Sequence, residues 1–579
     1  MPDAAFKKGG SFLVDMVLPE EIFTPEDLTL EQLMYAKTAR DFIEKEVLPR
    51  SAEIEAKELD VTIGLLRKSG ELGLLMADIP EEYGGMGLDK ASAALIVENL
   101  AGQGSYQVFH LVQTGIGSLP IIYYGTPEQK RRYLPGIADG SLLGCYGLTE
   151  TAAGSDALAA RTKAVLSADG SHYVLNGSKQ FITSARIADV LIIFAKVDGK
   201  EFTGFLVDKG TPGLSFGPDE HKMGIHGCTT SSVIFVDAQV PVGNVLGQIG
   251  QGHKIAFNIL NIGRFKLGAL AVGMCKRAIE HSLTYCLERK QFGKRLVEFG
   301  AIREKLGQMF VCMYAAESMA YRTVGLIDQL LAGAADKYGE AGLDSIEEYS
   351  VECSMAKVLG SEALDYVVDE MVQCFGGYGY CGEYPAEAYY RDSRINRIYE
   401  GTNEINRLVI ATMLVRKAAG GVLPLFEAAK DVGGPATVEA GVLGDGQAVV
   451  ANLKKIALLV LGLAAQKYGK GLGKEQSIVL RLADLVIAAY VAESTLLRAQ
   501  KDVARRGEAG AALPVAAARV TCEEAIDQAE SLARQCLVAM DERAVLDSLA
   551  ALVKRVPADV VAAREVIAAR LVEMERLVV

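Results

Sequence analysis

The sequence contains no tryptophan and is poor in several residue types that mark particular classes of protein. Only 16 of its 579 residues are proline. Together with long stretches of Ala, Leu, Glu and Lys, this low content favours a mainly helical fold. The 10 cysteines include no Cys-x-x-Cys pair, which argues against a disulfide framework or a zinc site. The 6 histidines are scattered, so each is better explained as structural than as a metal ligand.

Basic residues are fewer than acidic ones: 60 Lys and Arg stand against 73 Asp and Glu, a formal net charge of −13. This acidity argues against a nucleic-acid partner, because phosphate binding needs a basic surface. The longest apolar run, Ile456 to Ala465, has about half the length that a membrane span requires. The N-terminal residues resemble neither a signal peptide nor a transit peptide. We therefore expect a large folded protein in the cytoplasm.

Hydrophobic spacing divides the chain into five segments. Residues 1–143 show helical spacing, residues 144–247 show short β-rich runs, and residues 248–417 return to long helical patterns. Residues 418–446 contain Gly and Pro and predict a linker, after which residues 447–579 predict another all-helical unit. Within the β segment, Asp169-Gly170 and Asp198-Gly199 predict hairpins. The predicted fold is thus mainly α with one β domain.

The run Gly377-Tyr-Gly-Tyr-Cys-Gly382 has the spacing of a dinucleotide-binding fingerprint but not its context. Such a fingerprint follows a strand and opens a helix, whereas this run follows a helical pattern and precedes Pro385. Its glycines are better explained as positions where backbone N–H groups approach a flat or anionic ligand.

Two further motifs combine small, hydroxyl and acidic residues. The first, Tyr146-Gly-Leu-Thr-Glu-Thr-Ala-Ala-Gly-Ser-Asp156, starts like a strand, and by itself it is also consistent with a simple turn. In the second, Arg397-Ile-Tyr-Glu400-Gly-Thr-Asn-Glu404, a carboxylate precedes a helix that Thr402 or Asn403 can cap. Taken alone, Glu400 is explained as well by the favourable placement of a carboxylate near a helix N-terminus.

Taken together and in this order, the motifs resemble the acyl-CoA dehydrogenase family over roughly residues 30 to 416. The additional C-terminal helical segment and the residues Asn261 to Phe265 are similar to the very-long-chain branch of that family. The segments that carry the family resemblance are, in chain order, Tyr146 to Asp156, Asn176 to Ser184, Glu288 to Arg295, Gln373 to Tyr380 and Arg391 to Ile405.

The resemblance implies an N-terminal helical domain, a middle β-barrel domain and a C-terminal four-helix bundle, followed here by an additional helical domain. It also implies FAD-dependent α,β-dehydrogenation of an acyl-CoA to a trans-2-enoyl-CoA. Glu400 is the implied base for the α-proton, while the β-hydrogen leaves as hydride to the flavin. A long-chain acyl-CoA, an electron-transfer flavoprotein as acceptor and a homodimer complete the expectation.

The same resemblance assigns contact residues by position. Those implied to contact FAD are Tyr146, Leu148, Thr149, Gly154, Ser155, Phe181, Thr183, Arg289, Phe292, Gln373, Gly377, Thr402 and Glu404. Those implied to lie near the substrate are Ser155, Asn261, Arg264 and Gly401. Arg289 and Phe292 are implied to reach the ADP half of the cofactor across a subunit interface. Phe181 stands where many relatives carry Trp, so an aromatic face is kept beside the flavin.

Several alternatives remain at the level of sequence. Small residues at Gly115 and Gly117, expected in a helix at the pocket floor, favour a long acyl chain. A shorter, branched or aromatic acyl-CoA would use the same reaction, and an acyl-CoA oxidase would produce peroxide. An assembly or scaffold protein would keep the fold and bind partner proteins. Lysines beside the run Ile456 to Ala465 are consistent with core packing or with contact to a membrane surface.

Overall fold

The computed structural model describes residues 7–577. Within this range the chain forms two compact units. The sheet unit comprises residues 29–266 and 330–347, and the bundle unit comprises residues 7–28, 267–329 and 348–577. Residues 7–28 therefore pack with the C-terminal helices, although they precede the sheet unit in sequence.

The sheet unit begins with a set of short helices. They are α1 (Leu30–Phe42), α2 (Ser51–Glu55), α3 (Leu59–Glu71), α4 (Lys90–Asn99), α5 (Gly104–Thr114), α6 (Leu119–Tyr124) and α7 (Pro127–Asp139). Thr29, Asp89 and Thr126 cap three of them, since each side chain accepts a hydrogen bond from the backbone N–H three residues later. The helical spacing predicted for this region is confirmed.

The strands follow in the next hundred residues of the chain. They are β1 (Gly144–Gly147), β2 (Lys163–Leu166), β3 (His172–Thr183), β4 (Val190–Val197), β5 (Glu201–Asp208), β6 (Leu214–Asp219), β7 (Thr230–Pro241) and β8 (Val245–Leu246). They form one eight-stranded sheet in the order β6-β7-β3-β2-β4-β5-β8, and β1 pairs with β4. The predicted β domain is confirmed.

Turn chemistry and apolar runs explain the sheet locally. The predicted hairpins join β2 to β3 and β4 to β5. In the second hairpin, whose loop spans residues 198–200, Asp198 and Gly199 both have positive φ, of 50° and 72°, and Lys200 N donates to Val197 O over 3.0 Å, which closes the turn. β4 reads Val-Leu-Ile-Ile-Phe-Ala-Lys-Val and is buried along nearly its whole length, as expected for a strand covered on both faces.

Long helices dominate the rest of the chain. They are α8 (Gly252–Glu288), α9 (Gly300–Ala332), α10 (Glu340–Glu348), α11 (Ser350–Phe375), α12 (Pro385–Ser393), α13 (Asn403–Ala419), α14 (Leu425–Lys430), α15 (Gly444–Tyr468), α16 (Gln476–Gly510), α17 (Ala512–Ala539), α18 (Leu546–Val553) and α19 (Val560–Met574). A small hairpin of β9 (Lys290–Gln291) and β10 (Lys294–Arg295) lies between α8 and α9 in sequence.

The C-terminal helices share one hydrophobic core with α11 and α13. Met355, Leu414, Val460 and Val486, from α11, α13, α15 and α16, all belong to this cluster and are fully buried. The segment predicted as a linker contributes too, because it contains α14 and buries Leu425 in the same core. The C-terminal extension, described here over residues 447–577, is therefore part of the bundle unit and is held there by apolar packing.

Two stretches, α8 and residues 444–474, are long and apolar enough to cross a membrane by length and composition. The most apolar windows of these stretches are 83% and 61% buried inside the protein, as in core helices of soluble proteins. Within the run Ile456 to Ala465 most side chains face the core, and the neighbouring Lys454 forms an ion pair with Glu493. These observations favour the core-packing alternative for this run.

A buried charge cluster joins the N-terminal segment to the bundle. Arg498 on α16 has 1% of its side chain exposed; it donates to Glu317 on α9 over 2.7 Å and to Glu26 over 2.6 Å. Lys276 on α8 pairs with the same Glu317. Burial alone would raise the pKa of Glu317, but the two cations hold this pKa at about 2. Each charge in the cluster is thus compensated by an opposite one.

Replacing Arg498 by Leu should strongly destabilise the bundle unit, because the carboxylate of Glu317 would stay buried with one cation fewer. We expect the free energy of unfolding to fall by about 3–5 kcal/mol. Arg534→Leu is the matched control, since that side chain is 57% exposed in an i,i+4 pair with Glu530 and should change little. Urea denaturation of the holoenzyme measures both, and equal effects would refute this account of the cluster.

Candidate active site

In the sheet unit, the motif Tyr146 to Asp156 forms β1 and the loop after it. Tyr146 is buried and its ring meets Phe194 edge-on, with 5.2 Å between ring centroids. Leu148 and Thr149 are half-buried, whereas Gly154 and Ser155 at the end of the loop are exposed. The backbone N–H of Gln180 donates to Thr149 O over 2.9 Å, which ties the loop to β3. The loop is thus tied to the sheet at its start and open to a ligand at its tip.

The carboxylate of Glu150 holds this loop from within, a role that the sequence-based residue set missed. It accepts from Arg161 N over 2.6 Å, from Thr162 N over 3.0 Å and from Thr162 Oγ1 over 2.6 Å. Lys179 Nζ, on β3, also lies 2.6 Å from it and is fully buried. Glu150 and Lys179 lie in two of the quoted motifs. An acidic residue in one motif and a basic residue in another, both on the same sheet, were the sequence features that could have predicted this ion pair.

The two titrating groups of this pair respond differently to burial. Burial by itself would raise the pKa of Glu150, but Lys179 and the hydrogen bonds from Thr162 and Arg161 lower it below its usual value. Burial lowers the pKa of Lys179, and Glu150 opposes that shift. The pair is therefore held as ions by mutual compensation in a dry environment.

A β-bulge presents Phe181 to solvent. In the pairing of β3 with β7, the register shifts between Lys179 and Ile182, so that β3 contains one extra residue. Phe181 lies at this shift with φ of 60°, and 61% of it is exposed. Thr183, at the end of β3, is half-buried. Left-handed backbone at a bulky residue is rare and costs energy, so the exposed aromatic ring is a feature that packing alone does not explain.

Near the end of the sheet unit, Asn261 and Arg264 form a buried pair on α8. Arg264 Nη1 donates to Asn261 Oδ1 over 2.9 Å, and the two side chains are 6% and 5% exposed, respectively. Gly115 and Gly117 depart from expectation, because α5 ends at Thr114 and both glycines follow it. A Cβ on Gly117 would lie 2.8 Å from Val112 O, so close backbone packing explains this glycine.

In the bundle unit, the motif Arg397 to Glu404 forms a loop that leads into α13. Glu400 and Gly401 both have positive φ, of 57° and 80°. Glu400 is half-buried and Glu404 is exposed. Thr402 caps α13, since its Oγ1 accepts from Ile405 N over 3.2 Å. The favourable dipole of a helix N-terminus does not require a left-handed glutamate, so the backbone of Glu400 needs a further explanation.

Two buried residues that the sequence-based set missed hold this loop. Asn406 Nδ2 lies 2.8 Å from Gly401 O and 3.0 Å from Thr402 O. Lys357 Nζ, on α11, donates to Gly401 O over 2.8 Å. Neither Asn406 nor Lys357 exposes any of its surface. Both lie outside recognisable motif positions, so nothing in the sequence pattern marked them.

The remaining predicted contacts lie at the β9–β10 hairpin and at the end of α11. Phe292 is 92% exposed with φ of 52°. The guanidinium of Arg289 lies 5.5 Å from the ring centroid of Tyr378. Gln373 and Gly377 are exposed, and a Cβ added to Gly377 would meet no atom within 4 Å. This surface therefore has open backbone and unburied aromatic and cationic groups, which suit an anionic or aromatic ligand.

Comparison with known proteins places these features in a family. Models of the acyl-CoA dehydrogenase N-terminal, middle and C-terminal domains match residues 29–141, 145–238 and 250–415. A further model, also described as an acyl-CoA dehydrogenase C-terminal domain, matches residues 452–555. The chain is 47% identical to a probable acyl-CoA dehydrogenase of Bacillus subtilis (strain 168), over 100% of this chain and 99% of that protein. The chain belongs to the acyl-CoA dehydrogenase family.

A solved structure and a further relative extend this finding. The crystal structure of an acyl-CoA dehydrogenase complexed with FAD from Bacillus anthracis has a TM-score of 0.97 at 48% identity, covering 99% of this chain and 100% of that one. The mitochondrial very long-chain specific acyl-CoA dehydrogenase of Macaca fascicularis is 34% identical, over 86% of this chain and 78% of that protein. The chain is an acyl-CoA dehydrogenase with FAD as its cofactor.

The residues of this chain fit that cofactor. Phe181 offers an exposed aromatic face suited to a flat ring system. Added Cβ atoms at Gly376 and Gly377 would meet nothing within 4 Å, which leaves backbone accessible to phosphate oxygens. Arg289 supplies an exposed cation on the same unit as these glycines. An isoalloxazine and a pyrophosphate thus each find groups of suitable chemistry.

Removing the ammonium of Lys179 should destabilise the sheet unit around the loop after β1, by an amount that depends on pH. In Lys179→Met, Glu150 would be buried without its cation, its folded-state pKa would rise above the unfolded value, and stability would improve as pH falls. In the parent the pKa of Glu150 is lowered, so the stability that its ionised carboxylate contributes is lost as pH falls. The difference in Tm between the parent and Lys179→Met should therefore be largest near pH 8 and become smaller below about pH 5.

The control for this measurement is Lys196→Met. Lys196 lies on β4, and within residues 7–577 the structure shows no carboxylate bonded to it as Glu150 is bonded to Lys179. Its Tm difference from the parent should stay nearly constant across the same pH range. A gap for Lys179→Met that is independent of pH would show that Glu150 does not carry the effect.

Proposed function

We propose that this acyl-CoA dehydrogenase oxidises long-chain acyl-CoA to trans-2-enoyl-CoA, with Glu400 as the base and an electron-transfer flavoprotein as acceptor. The observation that carries the base assignment is the backbone at Glu400. A half-buried glutamate with φ of 57° sits directly before a capped helix, in a loop clamped by buried side chains. Strained and over-determined backbone of this kind concentrates at functional sites.

In the proposed reaction, the carboxylate of Glu400 takes the α-proton of the acyl thioester. An α-C–H beside a thioester is a weak acid, so the carbonyl oxygen needs hydrogen-bond donors as negative charge develops on it. The family resemblance assigns the backbone N–H of Glu400 as one such donor. FAD, when bound, would supply the acceptor for the hydride that leaves the β-carbon. The α,β double bond forms as the two C–H bonds break.

Contacts to FAD and substrate are proposed for residues of both units. In the sheet unit they are Tyr146, Leu148, Thr149, Gly154, Ser155, Phe181 and Thr183 for FAD, and Ser155, Asn261 and Arg264 for the acyl-CoA. In the bundle unit they are Arg289, Phe292, Gln373, Gly377, Thr402 and Glu404 for FAD, and Gly401 for the acyl-CoA. The open loop tip at Ser155 and the exposed ring of Phe181 support the first group. The open glycines and the cation at Arg289 support the second.

The long-chain assignment is supported by the C-terminal extension. The very long-chain specific relative aligns over 86% of this chain, well beyond the dehydrogenase core, and a family model matches residues 452–555. We also propose a homodimer in the cytoplasm, in which Phe292, 92% exposed here, is covered by the second subunit. Contact with a membrane surface stays a prediction, for which vesicle flotation at low salt is the check.

Anaerobic titration with palmitoyl-CoA should bleach the oxidised flavin absorbance of the parent enzyme. Glu400→Gln keeps the shape of the side chain and removes the base, so reduction should slow by at least about 10³-fold. Stopped-flow absorbance measures both rates. Glu427→Gln, on the exposed face of α14, is the matched control and should reduce at the parent rate.

The outcomes of this titration are distinct. A Glu400→Gln variant that carries FAD and bleaches at the parent rate would refute the base assignment. A parent that carries flavin but does not bleach would refute the substrate class. A protein purified without any flavin would favour the assembly or scaffold alternative.

A chain-length series should separate the remaining substrate alternatives. We expect kcat/KM to be highest for acyl chains of about 14 to 18 carbons and at least about tenfold lower for butyryl-CoA, because each buried CH₂ contributes about 0.8 kcal/mol. Branched and aromatic acyl-CoA are assayed alongside, with an electron-transfer flavoprotein as acceptor. A maximum at butyryl-CoA would refute the long-chain assignment, and stoichiometric peroxide in place of flavoprotein reduction would indicate an oxidase.

A further inference from the structure

The backbone around Glu400 is held by two fully buried polar side chains, Asn406 and Lys357. We propose that they are positioning residues, which fix the peptide groups next to Glu400 and thereby aim its carboxylate at the α-proton. This inference rests on the proposed role of Glu400 as the base. It assigns to the clamp a function in the rate of proton transfer, beyond a function in stability.

Asn406 gathers three successive carbonyl groups on one amide nitrogen. Its Nδ2 lies 2.8 Å from Gly401 O, 3.0 Å from Thr402 O and 3.4 Å from Glu400 O. Because carbonyl oxygens only accept hydrogen bonds, the amide nitrogen and not its oxygen must face them. Two N–H groups thus serve three acceptors, and all three carbonyls are turned toward α13.

Lys357 fixes the same loop from α11. Its Nζ donates to Gly401 O over 2.8 Å and to Asn403 Oδ1 over 2.7 Å. Asn403 in turn donates from Nδ2 to Ser361 Oγ over 3.1 Å, so the first residue of α13 is bonded to α11. Gly401 O therefore accepts from two buried donors that come from two different helices. A charged donor makes these bonds stronger than neutral ones.

The clamp acts on a backbone that would otherwise relax. Left-handed φ at a glutamate is energetically costly, and here it is followed by a left-handed glycine. Fixing the carbonyls of Glu400 and Gly401 fixes the peptide planes on both sides of Gly401. The direction of the Cα–Cβ bond of Glu400 is set by that same backbone. Misplacing a reacting group by about 1 Å can cost about 10²-fold in rate.

The chemistry of Asn406 also argues against a purely structural role. Asparagine is a poorer helix former than leucine, and its buried Oδ1 has no hydrogen-bond partner among the described residues. An apolar side chain at this buried position would avoid both costs. The amide is explained by what its nitrogen does for the base loop.

The test separates proton removal from hydride loss with an acyl-CoA that carries sulfur in place of the β-carbon. This probe has acidic α-hydrogens and no β-hydrogen to lose. Asn406→Asp keeps the side-chain shape but presents acceptors to the carbonyls, and Asn406→Leu removes the donors without adding charge. For both variants we expect α-hydrogen exchange in deuterated buffer, measured per bound FAD by mass spectrometry, to slow by about 10²-fold. KM for palmitoyl-CoA should change by less than about threefold.

Two further variants keep the test decisive. Lys357→Met removes the second donor and should slow exchange in the same direction, which covers the case in which an Asn406 variant does not fold. Asn452→Asp makes the same chemical change at another buried asparagine of the bundle unit, whose Oδ1 accepts from Ala436 N, and should exchange at the parent rate. A purely structural role would lower Tm and leave exchange per bound FAD unchanged.

The outcomes distinguish this inference from the proposed function. Exchange at the parent rate in folded Asn406 and Lys357 variants, with none in Glu400→Gln, would overturn the positioning role and leave the base assignment intact. Exchange at the parent rate in Glu400→Gln would overturn the base assignment and with it this inference. Slow exchange in all four variants, with an unaffected Asn452→Asp, is the expected result.

Discussion

The apolar core shared by α11, α13, α15 and α16 is the constraint on which the loop that carries Glu400 depends. α13 starts at that loop, and its Ile410 and Leu414 are fully buried among residues of the extension. Arg407, one turn into α13, donates to Asp484 on α16 over 2.6 Å and to Glu362 on α11 over 2.8 Å. The register of α13 is therefore fixed on two sides. Because the loop that carries Glu400 is anchored to the start of this helix, the packing of residues 447–577 against α13 also supports that loop.

Backbone strain marks three of the residues that the family resemblance assigns. Phe181, Phe292 and Glu400 all have φ between 52° and 60°, a region that bulky side chains seldom occupy. Each reaches it by a different device: a β-bulge, a two-stranded hairpin and the loop before a capped helix. The three backbone features share one effect: each gives a large side chain a direction different from that of the neighbouring side chains. Such strain persists only where surrounding bonds over-determine the backbone.

Sequence reasoning recovered the fold class and the element types because hydrophobic periodicity is a local signal. The strands lie within residues 144–247, where short β-rich runs were predicted, and both predicted hairpins form. It did not recover long-range packing: residues 7–28 join the bundle unit through Arg498, 472 positions from Glu26. Gly117 was misread because a glycine that allows backbone contact and one that enlarges a pocket look alike in sequence.

The candidate site shows the same division between local and distant information. Glu400 was found because its neighbours form a recognisable string of residues. Lys357 lies 44 positions from the carbonyl that it holds, and Glu150 meets Lys179 across 29 positions, so only the fold brings these donors and acceptors together. Glu150 and Lys179 lie in motifs, but their pairing is visible only in the fold, whereas Lys357 and Asn406 lie on helices at positions that no motif marks.

Buried ammonium groups are a recurrent means of fixing loops in this acidic protein. Lys179 holds the loop after β1 through Glu150, and Lys357 holds the loop before α13 through a carbonyl. A lysine has a long apolar stem, so it can start from the interior of a strand or helix, cross a packed layer and still deliver three donors at its end. Desolvation makes each such charge costly, so the bonds that compensate it cannot be exchanged freely for water. A loop fixed in this way has fewer alternative conformations, which suits the role proposed for Glu400, because a small misplacement of a reacting group costs rate.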